Sequence, residues 1–166
     1  ISMRIFSRSM FVFSMLNIFN LAHAECSVFS DSYSAVESVE GCVYKFNSDN
    51  FNSVRFLQLV NLLSISPSDR RRILKFDAGI YLFNKSITYT GPFGWGIFVQ
   101  GEGANKTKFV FNNAHGVDLE GPVGLGLLDK ITLNGQGQKG RVNDPLIDKY
   151  GVLARRGATI KLGRDV

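Results

Sequence analysis

"GEGANKTKFVF", residues 101–111, is the stretch on which the fold turns. Two glycines flank an acid, a short polar turn follows, and then polar and aromatic residues alternate. A Gly-x-Gly at the start of a helix would be a phosphate cradle, because a helix N-terminus aims backbone N–H groups at an anion. No helical pattern follows Gly103. Thr107-Lys108-Phe109-Val110-Phe111 reads instead as a strand rich in β-branched and aromatic residues. Gly101 and Gly103 are therefore expected at a corner between strands, in backbone angles that other residues avoid, with Thr107 entering the next strand. "GQGQKG" (135–140) matches the dinucleotide pattern literally, but "RVNDPLIDKY" (141–150) behind it contains Pro145 and shows no helical face. No nucleotide cofactor is expected.

Working outward, the same pattern repeats. "ILKF", "IYLF", "SITYT", "GIFVQ", "KFVFN", "GVDLE", "KITLN", "GVLA" and "TIKL" are short runs separated by turns rich in Gly, Asn and Asp. No helical period occurs after residue 73, which argues against alternating βαβ units. The recurrence of an apolar-x-apolar run ending at Asn or Gly is the mark of a stacked array, in which each unit buries its inward face against its neighbours. Before residue 73 the composition differs: of the 17 glycines only Gly41 lies ahead of Gly79. In "SVRFLQLVNLLS" (53–64), Phe56, Leu59, Val60 and Leu63 fall on one helical face, with Asn52 or Ser53 as cap. "SPSDRRR" (66–72) reads as a further helical turn.

The first 24 residues read as a secretory leader: Arg4 and Arg8, then an apolar run over 10–22, then Ala22-His23-Ala24. The run is too short and too polar for a membrane span. The mature chain is expected to be secreted or periplasmic, and losing Arg4 and Arg8 lowers the net charge from +5 to +3. Arg70-Arg71-Arg72 and Arg155-Arg156 read as solvated charge, and no concentrated basic face for nucleic acid is expected. The two cysteines, Cys26 and Cys42, are expected to form one disulfide in an oxidising compartment, with two unpaired thiols as the alternative. With His115 the only mature histidine, no metal-ligand spacing occurs.

Residues 73–113 resemble the opening of the pectate-lyase superfamily, which includes pectate lyases and relatives of the family 28 glycoside hydrolases. The resemblance rests on Asp77-Ala78-Gly79-Ile80-Tyr81, where the family usually has Pro in place of Asp77, and on Gly101-Glu102-Gly103 with Thr107. It continues through 127–137 and 151–163. It implies an all-β solenoid, a right-handed parallel β-helix of about three coils with a short N-terminal helical cap. The implied division is a leader (1–24), a cap region with the helix (25–72) and a β-helix (73–166) that stops short of its remaining coils. An N-terminal fragment of a lyase or hydrolase acting on acidic polysaccharide is the function the resemblance implies. A non-catalytic adhesin or glycan-binding stalk is the alternative from another class.

Catalytic residues are not identified. Family members use a base with Ca²⁺, or clustered aspartates, and no such cluster stands here, so no cofactor is assigned. Asp118 and Glu120 share a strand face by period-two alternation, where a pair of carboxylates either binds a cation or is simply solvated. Asp129 stands apart. Lys130, Arg155 and Arg156 are candidates for contacts to an acidic glycan, and His115 is expected in a turn. Asn84-Lys85-Ser86 and Asn105-Lys106-Thr107 are sequons. The last strand is expected to leave an uncovered edge prone to self-association.

Overall fold

The computed structural model describes residues 38–40, 42–68, 70–112, 114–135 and 151–166. The leader, Cys26, Asp69, residues 136–140 and all of "RVNDPLIDKY" lie outside the described residues. Strands β1 (Ser38–Glu40) and β2 (Val43–Phe46) precede helix α1 (Ser53–Ile65). Strands β3 (Arg72–Phe76) and β4 (Gly79–Phe83) follow, then a 3₁₀ turn at Pro92–Gly96 leading into β5 (Ile97–Gln100). The remainder is β6 (Thr107–Phe111), β7 (Val117–Glu120), β8 (Gly124–Asp129), β9 (Thr132–Asn134), β10 (Val152–Arg155) and β11 (Thr159–Leu162).

The strands form three sheets: β1-β2-β3-β5-β8-β11, β4-β6-β9 and β7-β10. All pairs are parallel except β1 with β2. In-register parallel pairing sets like residues beside like. Phe46 opposes Phe76, their rings stacked 4.7 Å apart. Phe83 opposes Phe111 at 4.8 Å in the same manner. Period-two alternation explains which side chains go inward: Tyr81, Phe83 and Phe109 are buried, while Ile80, Leu82 and Lys108 face out.

Helix α1 forms where its periodicity places it. Asn52, in extended backbone, accepts a hydrogen bond from the Arg55 amide at 3.1 Å and so satisfies one free N–H of the first turn. Phe56, Leu59, Val60 and Leu63 are all buried. The helix ends at Ser66, whose amide and hydroxyl both donate to the Leu62 carbonyl, and Pro67 cannot continue it. The helical turn expected over 66–72 does not form among the described residues. Ser68 and Arg70 close a bend there instead.

The all-β solenoid expected from the sequence is corrected by this arrangement. The chain is mixed α/β, with one α-helix and parallel strands in three sheets, and no closed solenoid forms among the described residues. The physical reason lies in the core. Phe56 of α1 packs edge-on against Phe46 at 5.5 Å and Phe76 at 5.4 Å. Phe51, ahead of the helix, meets Tyr81 and Phe83 at 5.0 and 5.2 Å. The helix is thus built into the aromatic core, and each such ring pair contributes about 0.5–1.5 kcal/mol beyond burial.

Candidate functional site

The residues that carried the family resemblance meet at one backbone carbonyl. The Asp77 carbonyl accepts from the Tyr81 hydroxyl and from the Thr107 hydroxyl, each at 3.1 Å. Tyr81 also reaches the Phe46 carbonyl at 3.0 Å, and the Thr107 oxygen accepts from the Glu102 amide at 3.0 Å. Gly79 leaves room for Ser48, whose Oγ would lie 2.5 Å from any Cβ at that position. Tyr81 and Thr107 are both fully buried. The Tyr81 and Thr107 side chains hold the corners of three strands together and face no solvent.

The expected reason for Gly101 and Gly103 is corrected. Neither has a positive φ; the left-handed backbone belongs to Gly121, Gly157, Lys130 and Arg156. Gly101 is required by close approach, since a Cβ there would meet the Lys130 carbonyl oxygen at 2.2 Å. Gly103 has only Lys106 side-chain carbons near it, at 3.9 Å, and serves through its carbonyl, which accepts from the Lys106 and Thr107 amides.

Thr107→Val is expected to destabilise the fold by about 1–3 kcal/mol, because it strands the buried Asp77 carbonyl and Glu102 amide while keeping the volume. Thr107→Ser should retain most of the stability. Urea unfolding of the two variants makes the comparison, and equal midpoints would refute the role.

The dispersed charges converge more than their sequence positions imply. Parallel pairing of β7 with β10 sets Arg155 opposite Glu120. The Arg155 guanidinium contacts Asp118 at 2.8 Å and Glu120 at 3.2 Å, and Arg156 contacts Glu120 at 2.8 Å. The hydrogen bond that Arg155 donates to Asp118, and the negative charge of Asp118, hold the Arg155 pKa above its ordinary value. Asp118 and Glu120 do share a face, as expected. Two guanidinium groups already neutralise them, so the pair does not fit Ca²⁺. Asp129 and Lys130 lie in and beside the six-stranded sheet and join none of these ion pairs. Among the described residues no three His, Cys, Asp or Glu side chains gather as metal ligands.

Beside this cluster lies an open depression of about 530 Å³, lined by Leu57, Asn84, Lys85, Thr88, His115 and Asp118 together with Ser86. Its size falls within the range of small-ligand sites, roughly 300–1,000 Å³. The lining offers an amide, two hydroxyls, an ammonium, an imidazole and a carboxylate. His115, expected in a turn, is half-buried in this wall. Only His115, Asp118 and the sequon residues were legible in advance; the convergence of Asn84–Thr88 on them follows from the isolated bridge between Ile87 and Val117.

Comparison with protein-family models, with curated proteins and with solved structures gave no match.

Proposed function

We propose that the chain belongs to an exported protein that binds polysaccharide, with the depression at Asn84–Thr88, His115 and Asp118 as its sugar site. The observation that carries this reading is the lining itself: donors and acceptors gathered in one open wall suit a polyhydroxylated ligand. The likeness of the Asp77–Tyr81 and Gly101–Thr107 motifs to the pectate-lyase superfamily supports a polysaccharide as the ligand class. Of catalysis and binding, the geometry favours binding. Asp118 and Glu120, the carboxylate pair on one face, are held by Arg155 and Arg156.

The test is titration of the full chain with neutral and uronic-acid oligosaccharides, followed by amide and imidazole NMR shifts. Shifts confined to residues 84–88, 115 and 118 support the site. Absence of shifts there for every oligosaccharide would refute it. Release of reducing ends, or of unsaturated product absorbing in the ultraviolet, would return the reading to an enzyme.

Export has a covalent counterpart. Cys42 is buried just ahead of β2, and the proposal includes its pairing with Cys26, which lies outside the described residues. In the chain-entropy picture such a loop contributes about 3 kcal/mol. Mass spectrometry of the secreted chain under non-reducing conditions should find no alkylatable thiol; two would refute the bridge. The proposal extends to self-association through β11, the edge of the six-stranded sheet, where Leu162 is half exposed. No helix among the described residues is long and apolar enough to cross a membrane.

A further inference from the structure

The outer surface of the six-stranded sheet carries a second set of groups, away from the depression. Register places Lys45 beside Lys75, Lys75 beside Gln100, and Gln100 beside Asp129. Neighbouring strands lie about 4.8 Å apart, and like charges directly opposite one another destabilise a sheet. No described carboxylate forms an ion pair with Lys45 or Lys75. One step back along the strands runs a half-buried apolar row, Val43, Ile73, Phe98 and Leu127. The Arg71 guanidinium lies 5.2 Å over the Phe98 ring. Beyond it stands Trp95, half exposed.

Strand β8 is shaped around these rings. A Cβ at Gly124 would fall 2.2 Å from Trp95 Cε2, and one at Gly126 would fall 2.2 Å from the Trp95 carbonyl oxygen and 3.0 Å from Phe98 Cε2. Two glycines within one strand cost about 0.5–1 kcal/mol each relative to alanine. Glycine inside a strand marks a place where something approaches closely. Here it lets a large aromatic rest on the sheet with half its surface in water, on a sheet whose Lys45 and Lys75 form no ion pair among the described residues.

We propose that Trp95, Phe98, Arg71, Lys75 and Lys45 form a binding strip for an acidic glycan. A sugar ring stacks on Trp95, and carboxylates along the chain meet Arg71, Lys75 and Lys45. The positive row ends in Gln100 and Asp129, which favours a ligand with hydroxyls between its charges over a continuous phosphate backbone. The inference takes only the ligand class, a glycan, from the function proposed above; its site is separate.

The test is affinity electrophoresis of the full chain through gels containing polygalacturonate, neutral dextran or single-stranded DNA. Retardation by polygalacturonate is expected, falling as salt rises, with little by dextran. The double variant K45Q/K75Q should weaken it at least tenfold. W95A should do the same, and W95F, which keeps a ring, should retain most of it at an unchanged melting temperature. Unchanged retardation in both K45Q/K75Q and W95A, or no retardation of the parent chain, overturns the strip. Loss with K45Q/K75Q but not W95A, accompanied by equal retardation in DNA, overturns the glycan assignment in favour of nucleic acid. Loss only with N84A/S86A would overturn the strip while upholding the depression, so the two proposals fail separately.

Discussion

Gly101→Ala is expected to cost the fold about 3 kcal/mol or more, whereas Gly103→Ala, two residues away, should change stability by less than about 0.5 kcal/mol. The added methyl at 101 has nowhere to go. It would stand 2.2 Å from the Lys130 carbonyl oxygen, 2.7 Å from Thr107 Cβ and 2.9 Å from Ile131 Cγ1. The first of these is backbone, and Lys130 is already held at a φ of 57°, a conformation costly for a residue with a side chain. The Gly101 amide also donates to the Asp129 carbonyl at 3.0 Å, so retreat of the loop would break a link to β8. At 103 the nearest atoms are flexible lysine carbons at 3.9 Å. Thermal and urea unfolding of the two single variants measures the contrast. Equal losses would show that the pair acts through backbone freedom, as the sequence alone implies.

That contrast marks how much was legible in the chain. Alternation and helical period are local, so β3 to β7, β9 to β11 and α1 appear where the sequence places them. Strand β8 did not announce itself, because Gly124 and Gly126 look like turn residues when their reason, Trp95 and Phe98 lying across them, is out of view. "SITYT" was expected as a strand, yet contributes only the bridge from Ile87 to Val117. Tyr89 turns inward there and donates to the Gly124 carbonyl at 2.8 Å, its burial pushing the phenol far above its ordinary pKa. How the sheets assemble is a long-range matter, and the solenoid implied by the recurring short runs and two motifs did not survive it. The charged cluster shows the same limit. That Asp118 and Glu120 share a face follows from period two, but their neutralisation by Arg155 depends on the register of β7 with β10, which no local pattern carries.

Arg72 was the least legible residue of all, since it sits in a run of three arginines that reads as solvated charge, yet it is 3 % exposed. Its Nη1 donates to the Leu63 carbonyl at 2.6 Å and the Ser66 carbonyl at 2.7 Å, and its Nη2 to the Phe93 carbonyl at 2.8 Å. One guanidinium therefore closes the C-terminus of α1, where the helix dipole favours a cation, and fastens the 3₁₀ turn ahead of β5. Arg72→Met is expected to lower stability by about 3–5 kcal/mol, because three carbonyls in a largely dry site lose charge-assisted partners together. Arg72→Lys should recover only part of this, as a single ammonium lacks the planar fork that spans the helix end and the turn at once. Arg70→Gln, at an exposed neighbour, should stay within about 0.5 kcal/mol of the parent. Urea unfolding of the three variants, with helix content followed by far-ultraviolet circular dichroism, tests the ordering. If Arg72→Met and Arg70→Gln unfold at the same midpoint, the guanidinium is not what joins α1 to the sheet.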